Sequence, residues 1–209
     1  MSSHLHQQLR DATRSVHTAL ERGPLVSALI RGTLAHDTYV ALLRNLHGIY
    51  TALEAALDDG HEDAAVRSVF VDELRRAPRL ARDLDSIHGA GWPDALPLQP
   101  ATNLYVDRLA AIRKDGPAAL LVAHVYVRYL GDLNGGQTLK RCVQASFGPQ
   151  HPTAFYEFGP PETVERLASA LRVALQSLDP APSIGGRIVE EAVWAFDRHR
   201  ELFTELVSS

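Results

Sequence analysis

The sequence predicts an all-α protein, a single-domain helical bundle over residues 1–209. Three observations carry this. Apolar residues recur at spacings of three and four almost throughout, no segment shows the alternation of a half-buried strand, and no repeat or long linker divides the chain. The connections have the lengths found between helices of a bundle.

Leu5, Leu9, Ala12, Val16 and Leu20 form one face of a first helix that Gly23-Pro24 ends. A second starts near Asp37, read as its cap, and runs through Val40, Leu43, Leu46, Ile49-Tyr50, Leu53 and Leu57 to the stop at Asp58-Asp59-Gly60. Two shorter helices around Pro78 carry Phe70, Leu74, Leu80, Leu84 and Ile87, and Gly91 to Pro100 reads as a proline-rich loop. A helix over Thr102–Lys114 ends before Gly116-Pro117. A long helix then spans Ala118 to about Ala145, with Gly131 and Gly135-Gly136 interrupting its composition. After a loop from Gly148 to Pro161 comes a helix with Val164, Leu167, Leu171, Leu175 and Leu178. Asp179-Pro180-Ala181-Pro182 turns the chain into the last one, with Ile188, Val193, Phe196, Phe203 and Leu206.

Lysine and arginine total 21 against 25 acidic residues, a formal net charge of −4, which argues against a nucleic-acid partner. The one cysteine, Cys142, rules out an internal disulfide or a cysteine-cluster metal site and fits a reducing, cytoplasmic setting. No basic head and apolar core mark a secretory signal. The longest apolar stretch, Pro117 to Val127, contains His124 and falls short of the roughly 18 residues that span a membrane. Only Lys114 and Lys140 are lysines. Arginine clamps carboxylates in a planar fork, although a GC-rich genome explains the same bias, so composition alone identifies no ligand.

Two segments hold residues with chemistry. His17 sits on the flank of the first helix's apolar stripe, where a lone histidine is ordinarily a boundary residue. Glu21 follows at i+4 to take a hydrogen bond from one ring nitrogen, and Arg14 at i−3 adds a cation to that face. The second segment is Tyr126-Val-Arg-Tyr-Leu-Gly-Asp-Leu-Asn-Gly-Gly-Gln137. Its glycines each cost a helix about 1 kcal/mol against alanine. Either two helices join at Gly135-Gly136, or something approaches the backbone or bends it there. Asp132 lies three residues before Gly135, where its carboxylate can orient water beside whatever packs on the bare backbone.

The segment Arg128–Gln137 resembles the signature of the haem oxygenases, and Leu9 to Glu21 resembles that family's proximal helix. Further matches are His47-Gly-Ile-Tyr50-Thr-Ala-Leu-Glu54, Tyr105-Val-Asp-Arg-Leu, Leu121-Val-Ala-His124 and the last helix from Glu190 to Leu206. They fall in order over roughly residues 5–206.

The resemblance implies a helical domain that sandwiches haem b, at once substrate and cofactor, between a proximal and a distal helix. His17 matches the axial iron ligand, with Glu21 behind it. Gly131, Gly135 and Gly136 match distal positions where the backbone lies against the porphyrin and directs oxygen to one meso carbon. Asp132 matches the distal carboxylate, which holds ordered water beside the reacting oxygen and favours ring hydroxylation over peroxidase-like chemistry. Tyr50, Tyr105 and Arg128 match the network that positions it. Arg14, Tyr126 and Arg172 match propionate anchors, and Phe196 and Phe203 match apolar pocket residues that would equally serve as core. Three departures stand out. Asn134 replaces a serine, Ala168 stands where some relatives carry a basic anchor, and His199 stands where an asparagine joins the distal waters.

The implied function is oxygen- and reductant-dependent cleavage of haem to biliverdin (IXα), carbon monoxide and ferrous iron. The chain has no flavin or nicotinamide fingerprint, so electrons come from an external donor, a ferredoxin or flavoprotein reductase docking on a basic rim near the propionates. A bilin-accepting protein is a possible downstream partner, and neither a nucleic acid nor a membrane is expected. The alternative is a non-catalytic haem carrier or sensor on the same scaffold, which needs neither Asp132 nor the glycines. A di-iron bundle is excluded, since no histidine has a glutamate three residues before it.

Overall fold

The computed structural model describes residues 4–208, and the described residues form helices with no strand among them. The helices are α1 (Leu5–Glu21), α2 (Pro24–Ile30), α3 (His36–Asp59), α4 (Ala64–Val69), α5 (Ala77–His88), α6 (Trp92–Ala95), α7 (Pro100–Asp115), α8 (Leu121–Val125), α9 (Gly131–Phe147), α10 (Pro161–Ser177) and α11 (Pro182–Ser208). The long α3 and α11 organise the bundle. α3 packs on α5 and α7, while α11 runs against α1, α7 and α8.

Several expectations need correction. Gly23-Pro24 ends α1 and also starts α2, because proline at a first helical position forfeits only an N–H that would be unpaired anyway. Leu25 and Leu29 of α2 are buried, so this short helix is part of the core. Asp37 is not a cap: Ala35 holds that position, and Asp37 lies in the first turn, where a carboxylate still favours the helix dipole. In α1 the buried residues are Leu5, Leu9 and Thr13, whereas Ala12 is exposed. Thr13 tolerates burial because its hydroxyl donates to the Leu9 carbonyl at 2.7 Å and lies 3.2 Å from the Tyr126 hydroxyl. The proline-rich loop contains the single turn α6, whose Trp92 is buried and donates from Nε1 to Asp85 at 2.8 Å.

The long central helix is built in pieces: a 3-10 turn at Ala118–Leu120, α8, a π-helical turn at Tyr126–Leu130, then α9. The helix continues straight through Gly135-Gly136, so these glycines do not join two helices. The irregularity falls one turn earlier, and π turns of this kind concentrate at functional sites.

The segment between α9 and α10 is held from a distance. Asp83 of α5 accepts from the main-chain N–H groups of Ala154 and Phe155, each at 2.8 Å. Arg76 is fully buried with no carboxylate partner; its guanidinium donates to the carbonyls of Glu73, Leu74, Phe155 and Glu157 and stacks 3.7 Å from the centre of the Phe158 ring. Burial, with the nearby charge of Arg79, pulls its pKa down to about 10. Glu54 reaches over from α3 to accept from the N–H groups of Arg76 (2.6 Å) and Ala77 (3.1 Å), so a neighbouring helix caps α5. These contacts drive Phe155 and Tyr156 inward.

Candidate functional site

α1, α2, α3, the π turn, α9 and α11 enclose a cavity of about 430 Å³, within the range of small-molecule sites. A recess of about 240 Å³ shares His17, Glu21, Val127, Gly131, Gly135 and Phe196 with it and is also lined by Tyr126 and Asn134. Most of the lining is apolar: Leu25, Val26 and Leu29 from α2, Leu42 and Leu46 from α3, Phe155 and Tyr156 from the pinned loop, Phe196 and Phe203 from α11.

His17 belongs to one wall. Its ring meets Phe196 edge-on at 5.5 Å, and its Nδ1 lies 3.6 Å from a Glu21 carboxylate oxygen. The carboxylate favours the proton on Nδ1 and leaves Nε2 as the ring's basic nitrogen. Gly131 and Gly135, four residues apart on α9, line the same cavity; a Cβ built on either would meet no atom within 4 Å. Bare backbone is therefore presented to empty space. Gly136 departs from expectation: it is buried, faces Tyr156 at 3.8 Å, and does not line the cavity, because it sits about 100° round the helix from Gly135.

Asp132 sits between the glycines, its side chain only 13% exposed. Tyr50 donates its hydroxyl to Oδ2, and Arg128 donates from Nη2 to Oδ1 at 3.3 Å. Arg128 also donates from Nε to the Tyr50 hydroxyl at 3.1 Å and lies 3.2 Å from His199 Nε2. His199 Nδ1 lies 2.8 Å from the Ala195 carbonyl, which can only accept, so Nδ1 carries the proton and Nε2 accepts from Arg128. Burial, helped by the Arg128 charge, lowers the His199 pKa to about 3 and keeps the ring neutral. Burial raises the Asp132 pKa, and Arg128 with the Tyr50 hydroxyl resists that rise. His199, which the resemblance sets where an asparagine joins the distal waters, closes this network.

Tyr105 is not hydrogen-bonded into that network. Its hydroxyl lies 2.8 Å from His124 Nδ1, and its ring packs edge-on against His199 at 5.2 Å. His124 Nε2 is 3.2 Å from Glu191 but off the hydrogen-bonding direction, and Arg108 grips Glu191 through two nitrogens. Tyr105 therefore joins a second buried network that touches the first through one ring.

Of the three expected anchors, Tyr126 lines the recess, while Arg172 lines a neighbouring pocket and reaches the recess only through Asn134, to which it donates at 2.5 Å. Arg14 points elsewhere: its side chain is 67% exposed and pairs with Asp11 at 3.2 Å. Arg10 was missed. Its charge, with that of Arg172, depresses the pKa of His6 after burial, and it opposes the burial-driven rise of Tyr126. The cavity thus brings together an imidazole, bare helix backbone, apolar walls and a nearly buried carboxylate, with Tyr126 and the charges that act on it nearby. A flat apolar disc with a metal at its centre and anionic groups at its rim fits those features.

The family model described as Heme oxygenase matches residues 3–205. Heme oxygenase 2 of Synechocystis sp. is 36% identical over 98% of this chain and 83% of that protein, and human heme oxygenase 1 is 34% identical over 99% and 73%. Among solved structures, heme oxygenase-2 from Synechocystis in complex with heme and NO superposes with a TM-score of 0.92 at 35% identity, covering 99% of this chain and 86% of that one. Heme oxygenase from Leptospira interrogans gives 0.90 at 31%, covering 97% and 100%. A match this long, on a fold shared almost end to end, makes the chain a member of the haem oxygenase family.

Proposed function

We propose that the cavity binds haem b between α1 and α9 and that the protein opens its ring to biliverdin IXα, carbon monoxide and ferrous iron, with His17 as the axial ligand. The observation that carries this reading is that His17 and the bare Gly131–Gly135 backbone line one cavity, with a nearly buried Asp132 between those glycines.

Bound haem supplies the iron that activates oxygen and the meso carbon that is attacked. The protein's residues do the rest. The Glu21 carboxylate, 3.6 Å from His17 Nδ1, favours the proton there, so Nε2 would be the nitrogen that holds the iron. The bare backbone at Gly131 and Gly135 leaves room over one part of the ring, while Phe155, Tyr156 and the α2 leucines exclude bulk water. Arg128 and Tyr50 hold the Asp132 carboxylate in one orientation before any substrate arrives, so water on it presents protons at a fixed place. Neutral His199 fixes the far side of Arg128 without adding charge. Tyr126, which lines the recess, together with Arg10 and Arg172, would hold the propionates and so orient the ring.

Electrons come from a separate donor, a ferredoxin or flavoprotein reductase approaching the arginine-bearing edge, and biliverdin passes to a bilin-accepting protein. No described helix is long and apolar enough to cross a membrane, and we place the reaction in the cytoplasm.

Haemin titration followed by single turnover with reductant and oxygen tests the proposal. The Soret band should give way to a biliverdin spectrum, and His17→Ala should remove the native haem spectrum and most turnover. Its fold should persist, since the His17 side chain is 46% exposed. A haem spectrum that survives reductant and oxygen would make the protein a carrier, and an unchanged His17→Ala variant would place the ligand elsewhere.

A further inference from the structure

His36, the first residue of α3, and His151, in the loop after α9, are 115 residues apart in sequence, yet their Nε2 atoms lie 3.3 Å apart. His151 Nδ1 is 3.1 Å from the Pro152 carbonyl, an acceptor, so that nitrogen carries the ring proton and Nε2 carries a lone pair. His36 Nδ1 lies 3.8 Å from the Asp37 carboxylate, which favours the same tautomer. With both rings in that tautomer two lone pairs face each other across a gap that a cation would bridge, whereas the other tautomer of His36 closes it by donating Nε2–H to His151 Nε2. A proton is one such cation. Against it stand partial burial of His151 and the neighbouring His36, both of which lower its pKa, with Asp83 and the Pro152 carbonyl opposing.

The separation suits a metal better. With metal–nitrogen bonds of 2.0–2.1 Å, two ligands at a tetrahedral angle sit about 3.3 Å apart. Each ring also has its other nitrogen beside an oxygen acceptor, the arrangement that orients metal-bound histidines. Phe147 packs against both rings at 5.2 Å and Tyr39 against that of His151 at 5.5 Å, which limits their rotation. Half of the His36 side chain is exposed, so an ion can enter and water can complete its shell. Among the described residues no cluster of three or more metal-binding side chains exists, which makes this a two-histidine site.

We propose that His36 and His151 form a surface site for a divalent transition-metal ion, of which Zn²⁺ is the simplest example, bound through both Nε2 atoms. The site lies outside the cavity and does not depend on the haem reading. An ion there would tie the start of α3 to the segment that carries Phe155 and Tyr156, since the Tyr39 hydroxyl, beneath the pair, lies 3.5 Å from that of Tyr156.

The test is calorimetric titration of the haem-free full chain with Zn²⁺ alone, with His36→Gln and His151→Gln measured beside the wild type. One equivalent should bind, weakening by about tenfold or more in either variant and with falling pH, as protons compete for the same nitrogens. In ¹⁵N-correlated spectra of the wild type, Zn²⁺ should shift the Nε2 resonances of both rings while both Nδ1 stay protonated. Amide exchange over residues 148–158 should slow. Equal Zn²⁺ affinity in wild type and both variants would overturn the proposal, as would Nε2 signals that ignore the ion, which would leave only a shared proton.

Discussion

Replacing Arg128 with methionine tests whether the distal carboxylate is held ionised by its surroundings. Arg128 is only 12% exposed, and it is the cation that most lowers the Asp132 pKa against the effect of burial. Methionine keeps most of the aliphatic length but leaves Asp132 a nearly buried charge with one donor, Tyr50. Breaking a buried pair from one side costs about 3–5 kcal/mol. His199 Nε2 loses its donor, worth about 1 kcal/mol more. The cost has a ceiling, because Asp132 can take up a proton. Its folded pKa then lies well above the unfolded value, so the penalty is full at neutral pH and is relieved as pH falls through the raised pKa. Urea unfolding of the haem-free protein should show Arg128→Met destabilised by about 4 kcal/mol at pH 7.5 and by clearly less at pH 5. The double variant with Asp132→Asn should fall short of the summed single effects by about 2 kcal/mol or more, since no charge is then stranded. A loss under about 1 kcal/mol at pH 7.5, or additivity within about 0.5 kcal/mol, would refute the account of Asp132 as a carboxylate sustained by Arg128.

Three other substitutions separate stability from function. Gly135→Ala should raise the stability of the haem-free protein by about 0.5–1 kcal/mol, because the new methyl meets nothing; haem affinity should drop in spectroscopic titration, and unchanged affinity would show that nothing packs on that backbone. Arg76→Met should cost more than about 4 kcal/mol in urea unfolding, since it strands buried carbonyls on both sides of the α9–α10 segment; a loss near 1 kcal/mol would mean that the segment is pinned by Asp83 alone. For His199 the folded pKa near 3 lies below the unfolded value of about 6.5, so stability is lost as pH falls between them, by about 2 kcal/mol from pH 6.5 to 4.5. His199→Gln should remove that share of the pH dependence, and parallel curves for variant and wild type would contradict the assignment.

The helices that presented a clean apolar stripe, α3, α10 and α11, were legible because their own residues decide their burial, and α7 was legible from the Gly116-Pro117 stop that ends it. α2 was not. It is seven residues long, and Gly23-Pro24 carries a stop signal and a start signal in the same dipeptide. The π turn at Tyr126–Leu130 leaves no mark on side-chain spacing, since one extra residue in the hydrogen-bond ladder changes no residue type. Phe155 and Tyr156 were invisible as cavity residues because their position is set by Arg76 and Asp83, about seventy residues away in sequence.

Helix geometry explains which site residues converge and which do not. At 100° per residue, Gly131 and Gly135 stand 40° apart and share the cavity, whereas Gly136 turns inward to Tyr156. The same arithmetic applies to the arginines of α1. Arg14 stands about 60° from His17, and Asp11 draws it outward; Arg10, seven residues before His17, stands only about 20° from it. Position on the helix thus favours Arg10 as the cation above His17, and its electrostatic influence on both His6 and Tyr126 points to the same place. On the proposed reading, the propionates of haem would meet residues 10, 126 and 172, one from each of three helical segments, so that the ring's orientation would depend on how α1, the π turn and α10 pack rather than on any one of them.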